Sequence, residues 1–251
     1  MNAIYYLYTG VTNYIKNYNV EYENKQKANE NAEALFLACI QKNKEMIELL
    51  LKNIKLNINY KINDIFINKI TNENVIELMK NIPIGNTILM SLVILKNYFI
   101  QNKNQEEGQK YMDIIKMLLH TEMIDLTIKN LELDNILMIC IKYDDIETLK
   151  LLIDDKNKYY INVNDKDKNG KTILNITMDT KKFNFIEEIL KCEKINIENI
   201  MTQDNKTLKV FAVENNNLEI VRLVTNLEQK KIKNYNTINK QQPIIKLKNV
   251  T

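Results

Sequence analysis

The chain has 251 residues, of which 27% are charged and 45% hydrophobic, enough apolar material to bury a core. Its 35 Lys and Arg against 32 Asp and Glu leave a formal charge of +3, too small for a dedicated nucleic-acid binder. Four Gly, two Pro, one His, one Arg and one Ser deprive it of most residues that hydrolases and phosphate-binding loops use, so no enzyme and no cofactor is expected. About forty positions are Asn and nearly every basic residue is Lys, a skew that matches AT-rich codon usage.

One signature recurs along the chain: two apolar residues, a polar one, then more apolar residues. It runs over Met46–Leu51, Ile114–Leu119, Thr148–Ile153, Phe185–Leu190 and Ile220–Val224, each an amphipathic helix by its i, i+3, i+4 spacing. The second residues Ile115, Leu149, Ile186 and Val221 lie 34, 37 and 35 apart, and Ile47 precedes Ile115 by two periods of 34. Spacing this regular predicts a solenoid.

A shorter apolar segment stands upstream of each helix. These are Ala34–Cys39, Thr87–Leu92, Asn135–Cys140, Thr172–Thr177 and Thr207–Ala212, several opening on a Thr or Asn suited to cap a helix. After the second helix come short stretches such as LNIN (56–59), IDLT (124–127) and INVN (161–164), followed by a polar turn. The pattern is helix, turn, helix, projecting loop.

These residues resemble the ankyrin repeat, most clearly in INVNDKDKNGKTILNI (161–176) and ENNNLEIVRLV (214–224). The resemblance covers roughly residues 29–226 in about five repeats. It implies an all-α, ankyrin-type helix–turn–helix solenoid with short hairpin loops. The family's Thr-Pro-Leu-His start has lost its Pro and His; Phe36, Met90, Met138, Asn175 and Val210 stand where His would be. Lys42, Asp144, Lys181 and Asn216 replace its inter-helix Gly, where a left-handed backbone is expected. Lys suits that conformation poorly, so repeats of uneven stability follow.

Three segments depart from the frame. Residues 1–28, with Tyr5, Tyr6, Tyr8, Tyr14 and Tyr18, are expected as an N-terminal capping helix. Residues 61–84 carry a further helical run, Val75–Met79, and are either a truncated repeat or an elaborated loop. Residues 97–110 lengthen the inter-helix link of the next repeat. The tail, 227–251, holds six lysines against Glu228 and also Ile244, Ile245, Leu247 and Val250.

Chemical readings fail on their own physics. DKDKNGKT (165–172) sets Asp165, Asp167, Asn169 and Gly170 like a calcium loop, but Ile176 occupies the bidentate-Glu position. As a phosphate loop its first Gly would be Asp165, which repels phosphate. His120 has no second His and closes a helix, where a cation suits the dipole. Asn175-Ile176-Thr177 and Asn205-Lys206-Thr207 match a glycosylation sequon only by coincidence. Cys39, Cys140 and Cys192 fit neither a disulfide framework nor a zinc site and are expected as packed thiols. MNAIYYLYTG shows no signal-peptide pattern, and Ile88–Leu95 is too short to span a membrane.

The resulting expectation is a non-enzymatic protein–protein interaction module in the cytoplasm, using its concave helix face and hairpin tips. Lys168, Asn169, Lys171, Gln203, Asp204 and Lys206 are the candidate contact residues. A host-directed adaptor from a large DNA virus or an intracellular pathogen fits the resemblance and the codon skew. The competing expectation is a nucleic-acid-associated protein, nuclear where needed, tethered by the lysine tail 227–251.

Overall fold

Five tight turns set the architecture, all built alike. At Lys42, Lys103, Asp144, Lys181 and Asn216 the backbone is left-handed, with φ between 53 and 65°. The following N–H reaches back five residues to a helix carbonyl: Asn43 to Ala38, Asn104 to Phe99, Asp145 to Cys140, Lys182 to Thr177 and Asn217 to Ala212, at 2.7–3.0 Å. That bond closes one helix. In four turns the same residue opens the next: Asn43, Asn104, Asp145 and Asn217 each accept the N–H three residues on, at 2.9–3.1 Å. Lys182 makes no such cap.

The computed structural model describes residues 23–52, 55–154, 161–192 and 194–241, in two compact units, Met1–Asn162 and Val163–Thr251. In the first unit α1 (23–41) turns into α2 (Lys44–Leu51); α3 (Asp64–Ile67) and α4 (Glu73–Met79) are short. Next, α5 (Ile88–Gln101) pairs with α6 (Gln105–Leu119), and α7 (Ile136–Lys142) with α8 (Ile146–Asp154). The second unit pairs α9 (Ile173–Asp179) with α10 (Phe183–Leu190) and α11 (Leu208–Glu214) with α12 (Leu218–Gln241). The described residues contain no strand, only isolated bridges at Lys61–Thr87 and Met201–Thr207, so the fold is an all-α helix–turn–helix solenoid.

The expected caps and core are present. Thr87, Asn135, Thr172 and Thr207 each accept the N–H three residues on, starting α5, α7, α9 and α11. The period-setting residues Ile47, Ile115, Leu149 and Ile186 are fully buried; in the last repeat Ile220, not Val221, takes that place. Cys39, Cys140 and Cys192 are buried thiols, and burial drives the first two well above the usual thiol range. No helix among the described residues is long and apolar enough to cross a membrane.

The alternatives for 61–84 resolve in favour of an elaborated loop. In the regular hairpins Asp167 N–H bonds to the Lys171 carbonyl and Thr202 N–H to the Lys206 carbonyl, both at 2.9 Å, across a left-handed Gly170 or Asn205. Ile62 N–H bonds to the Asn86 carbonyl at 2.9 Å across the left-handed Gly85. The hairpin frame is therefore intact, and α3 and α4 are inserted at its tip.

Residues 97–110 are not a link. They form the end of α5, a turn and the start of α6, because Asn104 caps α6 and Gly108 lets Ile100 lie close; a methyl on Gly108 would sit 2.6 Å from Ile100 Cγ1. This longer helical hairpin covers the turn between α1 and α2. Lys42 Nζ bonds Glu107 at 2.6 Å and lies 5.6 and 5.3 Å from the ring centres of Phe99 and Tyr111, while Tyr111 donates to the Ile40 carbonyl. The 28/29 boundary falls within α1 and the 226/227 boundary within α12, since neither site has a helix-stopping residue. Residues 1–22, which include Tyr5, Tyr6, Tyr8, Tyr14 and Tyr18, and 242–251 lie outside the described residues.

Candidate partner-binding surface

Two hairpin tips in the second unit are shaped by side chains that mimic backbone. Asp167 Oδ1 accepts the N–H groups of Asn169 and Lys171, both at 2.9 Å, which turns Lys168 and Asn169 outward. Thr202 Oγ1 accepts the Lys206 N–H at 3.1 Å, and Gln203 and Asp204 project. All four projecting residues are exposed. The supposed calcium or phosphate loop is thus an ordinary hairpin whose carboxylate is occupied by its own backbone.

Lys171 and Lys206 differ from the other four. Each stands just before a helix N-cap, is half-buried, and bonds an acid eight residues later: Lys171 Nζ to Asp179 Oδ2 and Lys206 Nζ to Glu214 Oε2, both at 2.6 Å. The hydrogen bond to Glu214 raises the Lys206 ammonium above its ordinary range. Asp179 Oδ2 also accepts Gln203 Nε2 at 3.5 Å, so side chains from both tips meet on one carboxylate. Beside them lies a groove of about 360 Å³ lined in part by Asp179, Lys181, Gln203, Asp204, Lys206 and Glu214. It carries charges of both signs. The same tip-to-helix pair occurs in the first unit with its signs exchanged, Lys142 to Asp134 at 2.6 Å.

Sequence reasoning named the six candidates and did not name Asp179 or Glu214, the acids that two of them bond. The available signal was opposite charge at a spacing of eight across a seven-residue helix. His120 is exposed at the end of α6, its Nδ1 against the Lys116 carbonyl. No group of three or more His, Cys, Asp or Glu side chains able to hold a metal ion occurs among the described residues. Of the tail lysines, Lys230, Lys231 and Lys233 are exposed on α12, and Lys231 bonds Glu198 at 3.0 Å. The Lys240 side chain, Lys246 and Lys248 lie outside the described residues.

A family model for ankyrin repeats matches residues 137–239 in three copies. No curated protein matches the chain. An ankyrin repeat domain from Acinetobacter baumannii AYE is similar at 17% identity and a TM-score of 0.44, covering 77% of this chain and 97% of that one. A second ankyrin repeat protein of solved structure is similar at 16% identity and a TM-score of 0.41, covering 76% and 96%.

Proposed function

Residues 137–239 of this chain are three ankyrin repeats, and from that premise we propose that the protein is a non-enzymatic adaptor that binds a protein partner at the hairpin tips of its second unit. Ankyrin repeats are in general protein–protein interaction modules. The observation that carries the local reading is the pair of exposed tips, Lys168–Asn169 and Gln203–Asp204, the second of them on a groove that carries both signs of charge. Such a surface selects by register: a partner segment must meet Lys with acid and Asp with base, and a misplaced charge there is penalised. Lys171 and Lys206 serve by holding the tips, since each is tied to an acid of the adjoining helix.

The test is affinity capture by the tagged full chain from host lysate, with and without nuclease, beside a Lys168→Glu/Asp204→Lys variant. A discrete protein retained after nuclease and lost with the variant supports the reading. Capture unchanged by the double reversal would overturn it. Capture that vanishes with nuclease would instead place binding on the α12 lysines, the nucleic-acid alternative.

A further inference from the structure

Five charged residues line the groove beside the second tip: Asp179, Lys181, Asp204, Lys206 and Glu214. Three of them are already used by the fold. Lys206 Nζ bonds Glu214 Oε2 at 2.6 Å. Asp179 Oδ2 accepts Lys171 Nζ at 2.6 Å and Gln203 Nε2 at 3.5 Å. The apolar residues of the lining, Met178 and Phe211, are buried.

Lys181 and Asp204 stand apart. Both are exposed, and neither side chain makes an ion pair or hydrogen bond with another described residue. Asp204 acts on Lys206 through its field alone, after the stronger influence of the hydrogen bond to Glu214. The two sit on different elements, Lys181 in the turn from α9 to α10 and Asp204 in the hairpin before α11. In charge, then, the groove offers a partner one ammonium and one carboxylate. Lys181 also holds its place against backbone preference, with φ 53° where the next turn uses Asn216. At the matching position of the first turn, Lys42 offsets that strain by bonding Glu107 at 2.6 Å and lying over Phe99 and Tyr111. Lys181 has no such contact within the fold. Strained positions of this kind gather where ligands are clamped.

Resting on the hairpin-tip reading above, we propose that Lys181 and Asp204 determine which partner fits: the groove takes a segment with an acidic and a basic residue on one face, the acid for Lys181 and the base for Asp204. Covering the groove strips water from both side chains. A segment with only one charge leaves the other ion covered and unpaired, which is costly, whereas Lys206–Glu214 and Lys171–Asp179 need nothing from it. Residues two apart on an extended segment point to one face about 7 Å from each other, so acid-x-base is the shortest extended pattern that can meet both.

The test titrates the isotope-labelled full chain with three blocked peptides, Gly-Glu-Ser-Arg-Ser-Gly, Gly-Glu-Ser-Gln-Ser-Gly and Gly-Gln-Ser-Arg-Ser-Gly, following amide NMR shifts at 178–181 and 202–206. Saturating shifts are expected with the first, and at least fivefold weaker binding of each singly charged peptide. Lys181→Gly is expected to lose the preference for glutamate while raising Tm, so that loss is not unfolding. Asp204→Asn is expected to lose the preference for arginine. Equal binding of the three peptides, no shift at the groove, or full discrimination by Lys181→Gly would each overturn the proposal. The hairpin-tip reading fails separately, through unchanged lysate capture by Lys168→Glu/Asp204→Lys. Capture lost with that variant but kept by Lys181→Gly leaves the tip reading standing and overturns this one.

Discussion

Lys96 Nζ lies 2.9 Å from Asp145 Oδ1, and the two side chains are only 2% and 1% exposed. Lys96 belongs to α5, and Asp145 is the cap that opens α8, so one ion pair ties two successive repeats of the first unit. Asp145 Oδ2 also accepts the Thr148 hydroxyl at 2.7 Å, and the half-exposed Glu147 adds a second carboxylate to Lys96 at 2.8 Å. Removing one partner strands a buried charge, so Lys96→Met is expected to cost about 3–5 kcal/mol. Asp145→Asn keeps the cap but not the charge. The double variant should therefore be less destabilised than the two single losses summed, as read from urea midpoints in a double-mutant cycle.

The turn at Lys181–Lys182 is the weakest of the five by construction. Lys181 is left-handed with φ 53°, and Lys182 supplies no side-chain cap to α10. A left-handed L-residue costs roughly 1–2 kcal/mol, part of which glycine gives back through its freer unfolded chain. Lys181→Gly is expected to stabilise by about 0.5–1 kcal/mol, and Lys182→Asp by about 1 kcal/mol through a new cap. Thermal denaturation should show both raising Tm, while Asn216→Gly moves it less, Asn being already tolerant of that backbone.

Two glycines are expected to resist substitution for different reasons. Gly108→Val places carbon against Ile100 and should cost about 1–3 kcal/mol despite the helical setting. Gly85 has φ +86°, and a methyl there would meet Leu131 Cγ at 2.4 Å. Gly85→Ala should therefore cost more than the roughly 1–2 kcal/mol of backbone strain alone. Chemical denaturation of each variant checks both.

Two groups of the first unit, Glu107 and Tyr60, should each contribute to the change of stability with pH. Hydrogen bonds from Lys110 and then Lys42 hold the Glu107 carboxyl below its ordinary range. Its folded pKa is thus below the unfolded one, so it stabilises above the unfolded value and that contribution is lost as pH falls through the folded one. Glu107→Gln should flatten the acid limb of a stability–pH curve. Burial, reinforced by the hydrogen bond to Glu33, pushes the Tyr60 phenol up to about 12. Here the folded value is the higher one, so stability is full below about pH 10 and falls between there and pH 12. Tyr60→Phe should remove that part of the alkaline decline.

Much of this fold could be read from local chemistry. Thr87, Asn135, Thr172 and Thr207 announced their helices because capping is decided within three residues. The left-handed turns at Lys42, Asp144, Lys181 and Asn216 followed from the repeat register. The placement of α3 and α4 did not, because it depends on a backbone bond between Ile62 and Asn86 that leaves no mark on side-chain identity. Residues 97–110 carried a readable signal, Asn104 three residues before Glu107, which a fixed period of 34 leaves no room to honour. At the candidate surface the tips were legible as polar turns. The acids that fix Lys171 and Lys206 left only an opposite charge eight residues on, a signal that gains its meaning once the tip folds back over the helix.

The uneven turns also set where the molecule yields. Between α9 and α10 a strained lysine meets an uncapped helix start, whereas the turn between α11 and α12 has an asparagine in each role. Opening is easiest where fewest bonds must break, so the α9–α10 joint acts as a fracture line within the second unit. Amide exchange there should run ahead of its surroundings, and a protease should nick the chain there first.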